Sequence, residues 1–147
     1  MRREHARRGS ILGCSRRLRE RFPGLRVIAV DAVGSVIFGA PAGPRELPGI
    51  GSSRVPELCR PEEIDQVVHV DDVDAALGCR ALLTAEGIFA GGSTGAVVSA
   101  IVRTLPDLPR PCRIVAIFAD RGDRYLDLVY DDDWLAAARA RRATACR

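Results

Sequence analysis

Three short runs of apolar, β-branched residues constrain the fold of this chain most. They are residues 26–31 (Arg-Val-Ile-Ala-Val-Asp), 67–70 (Val-Val-His-Val) and 113–119 (Arg-Ile-Val-Ala-Ile-Phe-Ala). None alternates apolar with polar, so each reads as a strand buried on both faces. The segments between them have helical spacing. One spans 13–22, with Leu18 and Phe22 four apart among arginines, and stops at Pro23-Gly24. A second starts at a cap, Asp71 or Asp72, carries Val73, Ala76, Leu77 and Ala81 on one face, and ends at Gly87. A third carries Val97, Val98, Ile101, Val102 and Leu105 and stops at Pro106. A last helix is expected from Asp133 into the terminal arginines. Strands alternating with helices predict an α/β fold: part of a doubly wound, mostly parallel sheet with flanking helices. Only three or four strands are visible, few for a complete sheet of that kind.

Composition narrows the function classes. The 147 residues are 47% hydrophobic and 28% charged, the balance of one globular domain or a piece of one. Aromatics are 5%, so the expected core is aliphatic. The net charge of +3 is uneven, with arginines crowded near the two ends. No aromatic residues interleave with them, and Arg16, Arg17, Arg19 and Arg21 read as the wet face of one helix, not a nucleic-acid surface. No apolar run follows the basic N-terminus, and no stretch approaches the ~20 apolar residues of a membrane span. The expected location is cytoplasmic, without membrane association. Five cysteines, an odd count with no Cys-x-x-Cys, argue against a disulfide framework and a zinc site.

All 22 cationic side chains are arginine. Any mechanism that needs a lysine amine is therefore closed to this chain alone.

The sharpest local motif is Gly91-Gly92-Ser93-Thr94-Gly95, between a short apolar piece (88–90) and a helix. It matches the Gly-x-Ser-x-Gly turn of serine hydrolases. That mechanism needs a histidine after the serine, and the two histidines, His5 and His69, both precede it. A phosphate loop would need Gly-Lys-Ser/Thr, which is absent. Two readings remain. One is a polar ligand site at a helix N-terminus, with Ser93 offering a neutral hydroxyl. The other is a plain turn with Ser93 or Thr94 as the cap. His69 reads as a packed strand histidine. Asp131-Asp132-Asp133 and the Asp71, Asp72, Asp74 cluster read as helix-capping charge runs, not metal sites.

Residues 34–56 are punctuated by glycine and proline and read as a long irregular loop, of the length that is usually functional or mobile. Several stretches now align with one family. Gly87-Ile88-Phe89-Ala90-Gly91-Gly92-Ser93-Thr94-Gly95-Ala96 is similar to the Glu-Gly-Ile-x-x-Gly-x-Ser-[Ser/Ala]-Gly-Ala segment of the cysteine synthase / cystathionine β-synthase family. These are fold type II enzymes that use pyridoxal 5′-phosphate (PLP). Pro48-Gly49-Ile50-Gly51-Ser52-Ser53-Arg54-Val55-Pro56 resembles that family's Gly-Ile-Gly-x-x-x-[Val/Ile]-Pro loop. Asp120-Arg121-Gly122-Asp123-Arg124-Tyr125-Leu126 resembles its x-x-Gly-Glu-Arg-Tyr-Leu turn, with Asp123 in place of Glu. The matches cover most of 9–134 in family order. Residues 30–39 (Val-Asp-Ala-Val-Gly-Ser-Val-Ile-Phe-Gly) look most like the 2,3-diaminopropionate branch, with plain cysteine synthase as the neighbouring possibility.

The resemblance implies roles. Ser93 would donate to the PLP pyridine nitrogen. A neutral hydroxyl leaves that nitrogen unprotonated and favours replacement at Cβ over transamination. Gly9 and Ser10 would be what remains of the Gly-Thr-Gly-Gly-Thr phosphate cradle, since Arg7 and Arg8 stand where the family has Thr and Gly. Gly49, Ile50, Gly51 and Ser52 would line the substrate loop; Arg54 reads either as a contact to a phosphate or a second carboxylate or as an exposed arginine. The family's Schiff-base lysine has no counterpart. The expected domain plan is a non-family basic stretch at 1–8, the C-terminal part of a PLP enzyme domain at 9–134, and a basic tail at 135–147. The implied parent reaction joins O-phosphoserine or O-acetylserine to an amine or thiol, glutamate in the diaminopropionate branch. The implied partners are amino-acid substrates, a second copy in a homodimer, or a lysine-bearing N-terminal half acting in trans from a longer ancestral gene. The other expectation is a non-catalytic α/β module that binds an anion or a partner.

Overall fold

The computed structural model describes residues 9–145; the expectations for residues 1–8 and for Cys146 fall outside them. The element order is α1 (Gly9–Arg21), β1 (Ile28–Ala32), β2 (Gln66–Val70), α2 (Asp72–Glu86), α3 (Gly92–Thr104) and α4 (Asp132–Ala145). β1 and β2 pair in parallel, Ile28 opposite Gln66 through Ala32 opposite Val70. Two of the three expected strands thus form a parallel ladder flanked by helices.

The third does not. Residues 113–119 join no ladder among the described residues. The segment meets regular pairing only past its end, at an isolated antiparallel bridge between Ala90 and Arg121. A strand buried on both faces needs neighbours on both sides, and β1 and β2 pair with each other.

The helix boundaries follow local chemistry. Asp71 accepts a hydrogen bond from the Asp74 amide and caps α2, while Gly87 ends it at φ 67, donating to the Leu83 carbonyl. Asp131 accepts from the Trp134 amide at 2.6 Å at the start of α4. These carboxylates act as caps, as their positions suggested.

α2 packs closely on α3, and the sequence pattern misjudges this contact. The buried residues are Val73, Ala75, Ala76, Gly78 and Cys79 on α2, and Gly92, Thr94, Gly95, Ala96, Ala100 and Thr104 on α3. Leu77 and Ala81 are exposed, and Val102 is 66% exposed. The cause is close backbone approach: a Cβ on Gly78 would lie 2.1 Å from the Gly95 carbonyl oxygen. Small residues therefore hold the interface. The core joins this pair to Leu47, Val70, Val129, and Leu135 and Ala138 of α4. Its buried members are aliphatic apart from Cys79 and Tyr125, the latter 4% exposed.

The 33–65 connection is irregular but tied down. The Arg45 guanidinium donates to the carbonyls of Gly34 and Ser52 and to Ser53 Oγ. Val36 donates to the Ser52 carbonyl at 3.0 Å, and the Ser52 amide donates to Ser35 Oγ at 3.0 Å. Gly34, at φ 83, lies so close to Gly43 that a Cβ would stand 2.9 Å from its backbone.

Candidate functional site

The turn at 91–95 opens α3. Gly91 is its N-cap, with φ −79 and ψ 169. The expectation of a Ser93 or Thr94 cap is therefore corrected: helical geometry begins at Gly92, one residue ahead of Ser93. Thr94 points inward, its hydroxyl fully buried and without a hydrogen-bond partner. Ser93 is half-buried, and its hydroxyl bonds to none of the described residues. Ser93 sits on the first turn of α3, where the leading backbone amides of a helix have no partner inside it.

The turn is held from three sides. Gly91 donates to the Asp120 carbonyl at 3.1 Å, and Gly122 donates to the Phe89 carbonyl at 3.1 Å. A Cβ on Gly91 would lie 2.2 Å from Asp120 Oδ1 and 2.6 Å from Tyr125 Cε2, so no larger residue fits there. Tyr130 Oη donates to the Ala90 carbonyl at 2.6 Å and accepts from the Ala90 amide at 3.2 Å. Cys79 Sγ donates to the Gly91 carbonyl at 3.3 Å. Burial pushes the Cys79 thiol up to about 11 and raises the Tyr130 hydroxyl above its ordinary value, so both are neutral supports.

A cleft of about 1160 Å³ lies alongside. Ile11 and Leu12 of α1, Val30 and Asp31 of β1, the 48–60 loop, and Asp120, Arg124 and Tyr125 form its walls. Gly49, Ile50, Gly51, Ser52 and Arg54 are thus brought together on one side. Gly9 and Ser10 form the first turn of α1, next to Ile11, and Ser10 is exposed. The rest of the suspected cradle, 6–8, lies outside the described residues. Ser93 is not on the cleft wall. It lies two residues beyond Gly91, which packs against the wall residues Asp120 and Tyr125. Ser52 spends its hydroxyl on its own loop, donating to the Arg54 carbonyl at 2.7 Å and accepting from the Arg54 amide at 3.1 Å.

Three wall residues had no role assigned from sequence. Asp31 is 1% exposed at the end of β1, its Oδ1 accepting from the Ala32 amide at 3.0 Å. Tyr125 Oη donates to Asp120 Oδ2 at 2.7 Å. A carboxylate at the end of an apolar strand was a usable signal for Asp31. Nothing in spacing alone pairs Asp120 with Tyr125.

A family model described as pyridoxal-phosphate dependent enzyme matches residues 7–120. The chain belongs to this family. It is 67% identical over 135 residues to N-(2-amino-2-carboxyethyl)-L-glutamate synthase of Ralstonia nicotianae, across 92% of this chain and 40% of that protein. It is 61% identical over 138 residues to the protein of the same name from Cupriavidus metallidurans, with the same coverage. Among solved structures it resembles an O-acetylserine dependent cystathionine β-synthase from Helicobacter pylori, with TM-score 0.75 and 34% identity over 81% of this chain and 39% of that one. It also resembles an O-ureido-L-serine synthase, with TM-score 0.76 and 31% identity over 87% of this chain and 43% of that one. The family likeness read from the motifs and the α/β fold type agree with these matches. The chain spans 40% of the length of the curated relatives.

A ring nitrogen of PLP calls for a neutral donor, and the Ser93 hydroxyl, which bonds to none of the described residues, is chemically of that kind. No lysine in the sequence can supply the covalent amine. Among the described residues no helix is long and apolar enough to cross a membrane.

Proposed function

We propose that this chain supplies the ring-nitrogen and substrate-loop side of a PLP-dependent β-replacement synthase, with N-(2-amino-2-carboxyethyl)-L-glutamate as the product. The observation that carries the reading is the half-buried Ser93 hydroxyl, without a partner among the described residues, on the first turn of α3 in a chain of this family. The product follows the two curated relatives. PLP, when bound, supplies the electron sink that lets a β-substituent leave a serine derivative and a nucleophile take its place.

The chain's own residues do the rest. Ser93 donates to the ring nitrogen and, being neutral, leaves it unprotonated. Gly91, clamped to Asp120 and Tyr125, fixes where that hydroxyl sits. Gly9 and Ser10 present the start of α1 to the phosphate, where helix amides favour an anion. The 49–53 loop lines the cleft against the amino-acid substrates, O-phosphoserine and glutamate. Arg54 meets the phosphate of the first or a carboxylate of the second. The lysine comes from a segment outside these 147 residues, and the assembled enzyme is a homodimer.

The test combines this chain with the part of the Ralstonia nicotianae relative that it does not match, in PLP, O-phosphoserine and L-glutamate. Phosphate release and a product of the expected mass are anticipated. Ser93→Ala should lower kcat and shift the absorbance of bound PLP, and Ser93→Thr should restore both. A fully assembled, PLP-loaded pair with no turnover would sink the reading. The lack of any lysine favours one alternative, a non-catalytic α/β module that binds an anion or a partner. That module would bind inorganic phosphate with or without the second segment, and would never release it from O-phosphoserine.

A further inference from the structure

Arg45 and Glu46 are neighbours whose side chains grip different parts of the molecule. The Arg45 guanidinium donates to the Ser52 carbonyl at 3.3 Å, to Ser53 Oγ at 2.9 Å and to the Gly34 carbonyl, closing the base of the loop that forms one cleft wall. Glu46 spends both carboxylate oxygens on α4. Trp134 Nε1 donates to Oε2 at 2.8 Å, and Arg141 Nη2 lies 2.7 Å from Oε1. Trp134 and Arg141 are about two turns apart, so they share one face of α4. The Glu46 amide donates to Asp72 Oδ2 at 2.9 Å at the start of α2. Arg142 adds contacts to Asp71 at 3.3 Å and to Asp74 at 2.9 Å. The next residue, Leu47, is 4% exposed, and a Cβ on Gly92 would lie 3.2 Å from its Cδ1. The stretch 45–47 thus touches the cleft loop, α4, α2 and the turn that carries Ser93.

We propose that Glu46 is a positioning residue: through it, α4 sets where the 49–53 wall of the cleft stands. The tip of that wall has few ties of its own. Among the described residues, no backbone hydrogen bond is seen at Gly49, Ile50 or Gly51, and the two glycines sit at φ 87 and 75. The wall is therefore held from its base, where Arg45 bonds it, and Arg45 is in turn placed by the adjacent Glu46. The helix that Glu46 grips is itself fixed, with Leu135 and Ala138 buried in the core. Two arginines of the basic C-terminal stretch, Arg141 and Arg142, are thereby committed to acids of the body and not to solvent. α4 lies beyond residues 7–120, so this brace is outside what the family model describes. A half-exposed ion pair alone shifts an opening equilibrium by no more than about fivefold. Here one carboxylate holds two donors on one helix face, so its loss removes an ion pair and a hydrogen bond together.

The brace does not rest on the catalytic reading, so its test uses the full chain without PLP or substrate. Trp134 is the one tryptophan in the sequence, and its emission reports the Glu46 contact directly. Glu46→Arg should move that emission to longer wavelength. Glu46→Arg and Arg141→Glu should each speed amide hydrogen exchange at Val36 and Ser52, which bond across the loop base, by at least about fivefold. Amides of α3 should keep the parent's rates, which a general loss of stability would not allow. The double variant restores the pair with its signs exchanged and should recover most of the loss at Val36 and Ser52. Glu46→Gln keeps an acceptor for the indole and loses only the charge, so it should speed exchange by about twofold. Unchanged exchange at Val36 and Ser52 in Glu46→Arg, beside a shifted emission, would overturn the proposal, because Arg45 would then hold the wall alone. So would a double variant no better than either single one, or a rise in exchange that extends equally to α3. Where circular dichroism shows that charge reversal unfolds the chain, Glu46→Gln decides, and parent-like exchange at Val36 and Ser52 would overturn the proposal.

Discussion

Tyr125 donates its hydroxyl to Asp120 Oδ2 at 2.7 Å, and the pair forms the surface on which Gly91 rests. The other oxygen, Asp120 Oδ1, is buried without a partner. The tyrosine hydroxyl is thus the one side-chain hydrogen bond seen on this carboxylate among the described residues. Tyr125→Phe should destabilise the fold by about 2 kcal/mol, the range for hydrogen bonds to charged groups. Asp120→Asn keeps an acceptor for the hydroxyl and relieves the unmet charge, so its loss should be smaller. Urea unfolding of both variants checks the order. An unchanged midpoint for Tyr125→Phe would contradict the assignment.

The α2–α3 contact makes opposite predictions for glycines that look alike in sequence. A Cβ on Gly95 would lie 2.0 Å from the Ala75 carbonyl oxygen and 2.4 Å from Cys79 Sγ. These are backbone and buried atoms that cannot swing aside. Gly95→Ala should cost about 3 kcal/mol, the upper end for overpacking. Gly13, inside α1, has nothing within 4 Å of such a Cβ. There the backbone-entropy term acts alone, and Gly13→Ala should stabilise by about 0.5–1 kcal/mol. Thermal denaturation of the two variants separates them by sign. A neutral Gly95→Ala would mean that the helices are not in close contact.

Much of this fold was legible in the sequence, for identifiable reasons. Asp71 and Gly87 bracket α2 by local chemistry, and local chemistry is written in the residues. The β1–β2 pairing followed from apolar runs that only a parallel sheet can bury. The inner face of α2 was misjudged because helical period favours large residues such as Leu77. The actual face was chosen by Gly78 meeting Gly95, a pairing across 17 positions that no local pattern encodes. The run at 113–119 was read as a strand from its composition and joins no ladder among the described residues, because composition cannot say whether a neighbour is present. At the candidate site, motif spacing singled out Ser93 and the 49–54 loop. The clamp of Asp120 and Tyr125 on Gly91 depends on tertiary contact and was visible only once the chain was folded.

The lone chain should not capture PLP covalently. All 22 of its cationic side chains are arginine, whose guanidinium stays protonated and is no nucleophile at neutral pH. PLP mixed with the purified chain should keep the absorbance of the free aldehyde, and borohydride should leave no added mass on the protein backbone or side chains beyond the α-amino group. A stable side-chain adduct located by peptide mass spectrometry would contradict this.

Cys79 makes stability fall in alkali. Its side chain is 0% exposed, and burial raises the thiol to about 11. The folded state therefore keeps the proton where the unfolded chain, with an ordinary thiol, begins to lose it. Stability is fully present below about pH 9 and is lost as pH rises towards 11. Across that window the thiol's contribution falls by on the order of 2–3 kcal/mol. Tyr130, also raised by burial, acts in the same direction at higher pH. Cys79→Ala should flatten this alkaline limb while lowering stability about equally at every pH below it. The thiol count follows the same logic. Cys14 and Cys112 are exposed and should react with a thiol reagent in the native protein at pH 8, while Cys79 should react only after unfolding. Native-state labelling of Cys79 at the rate of Cys112 would show that the support beneath Gly91 is open rather than packed.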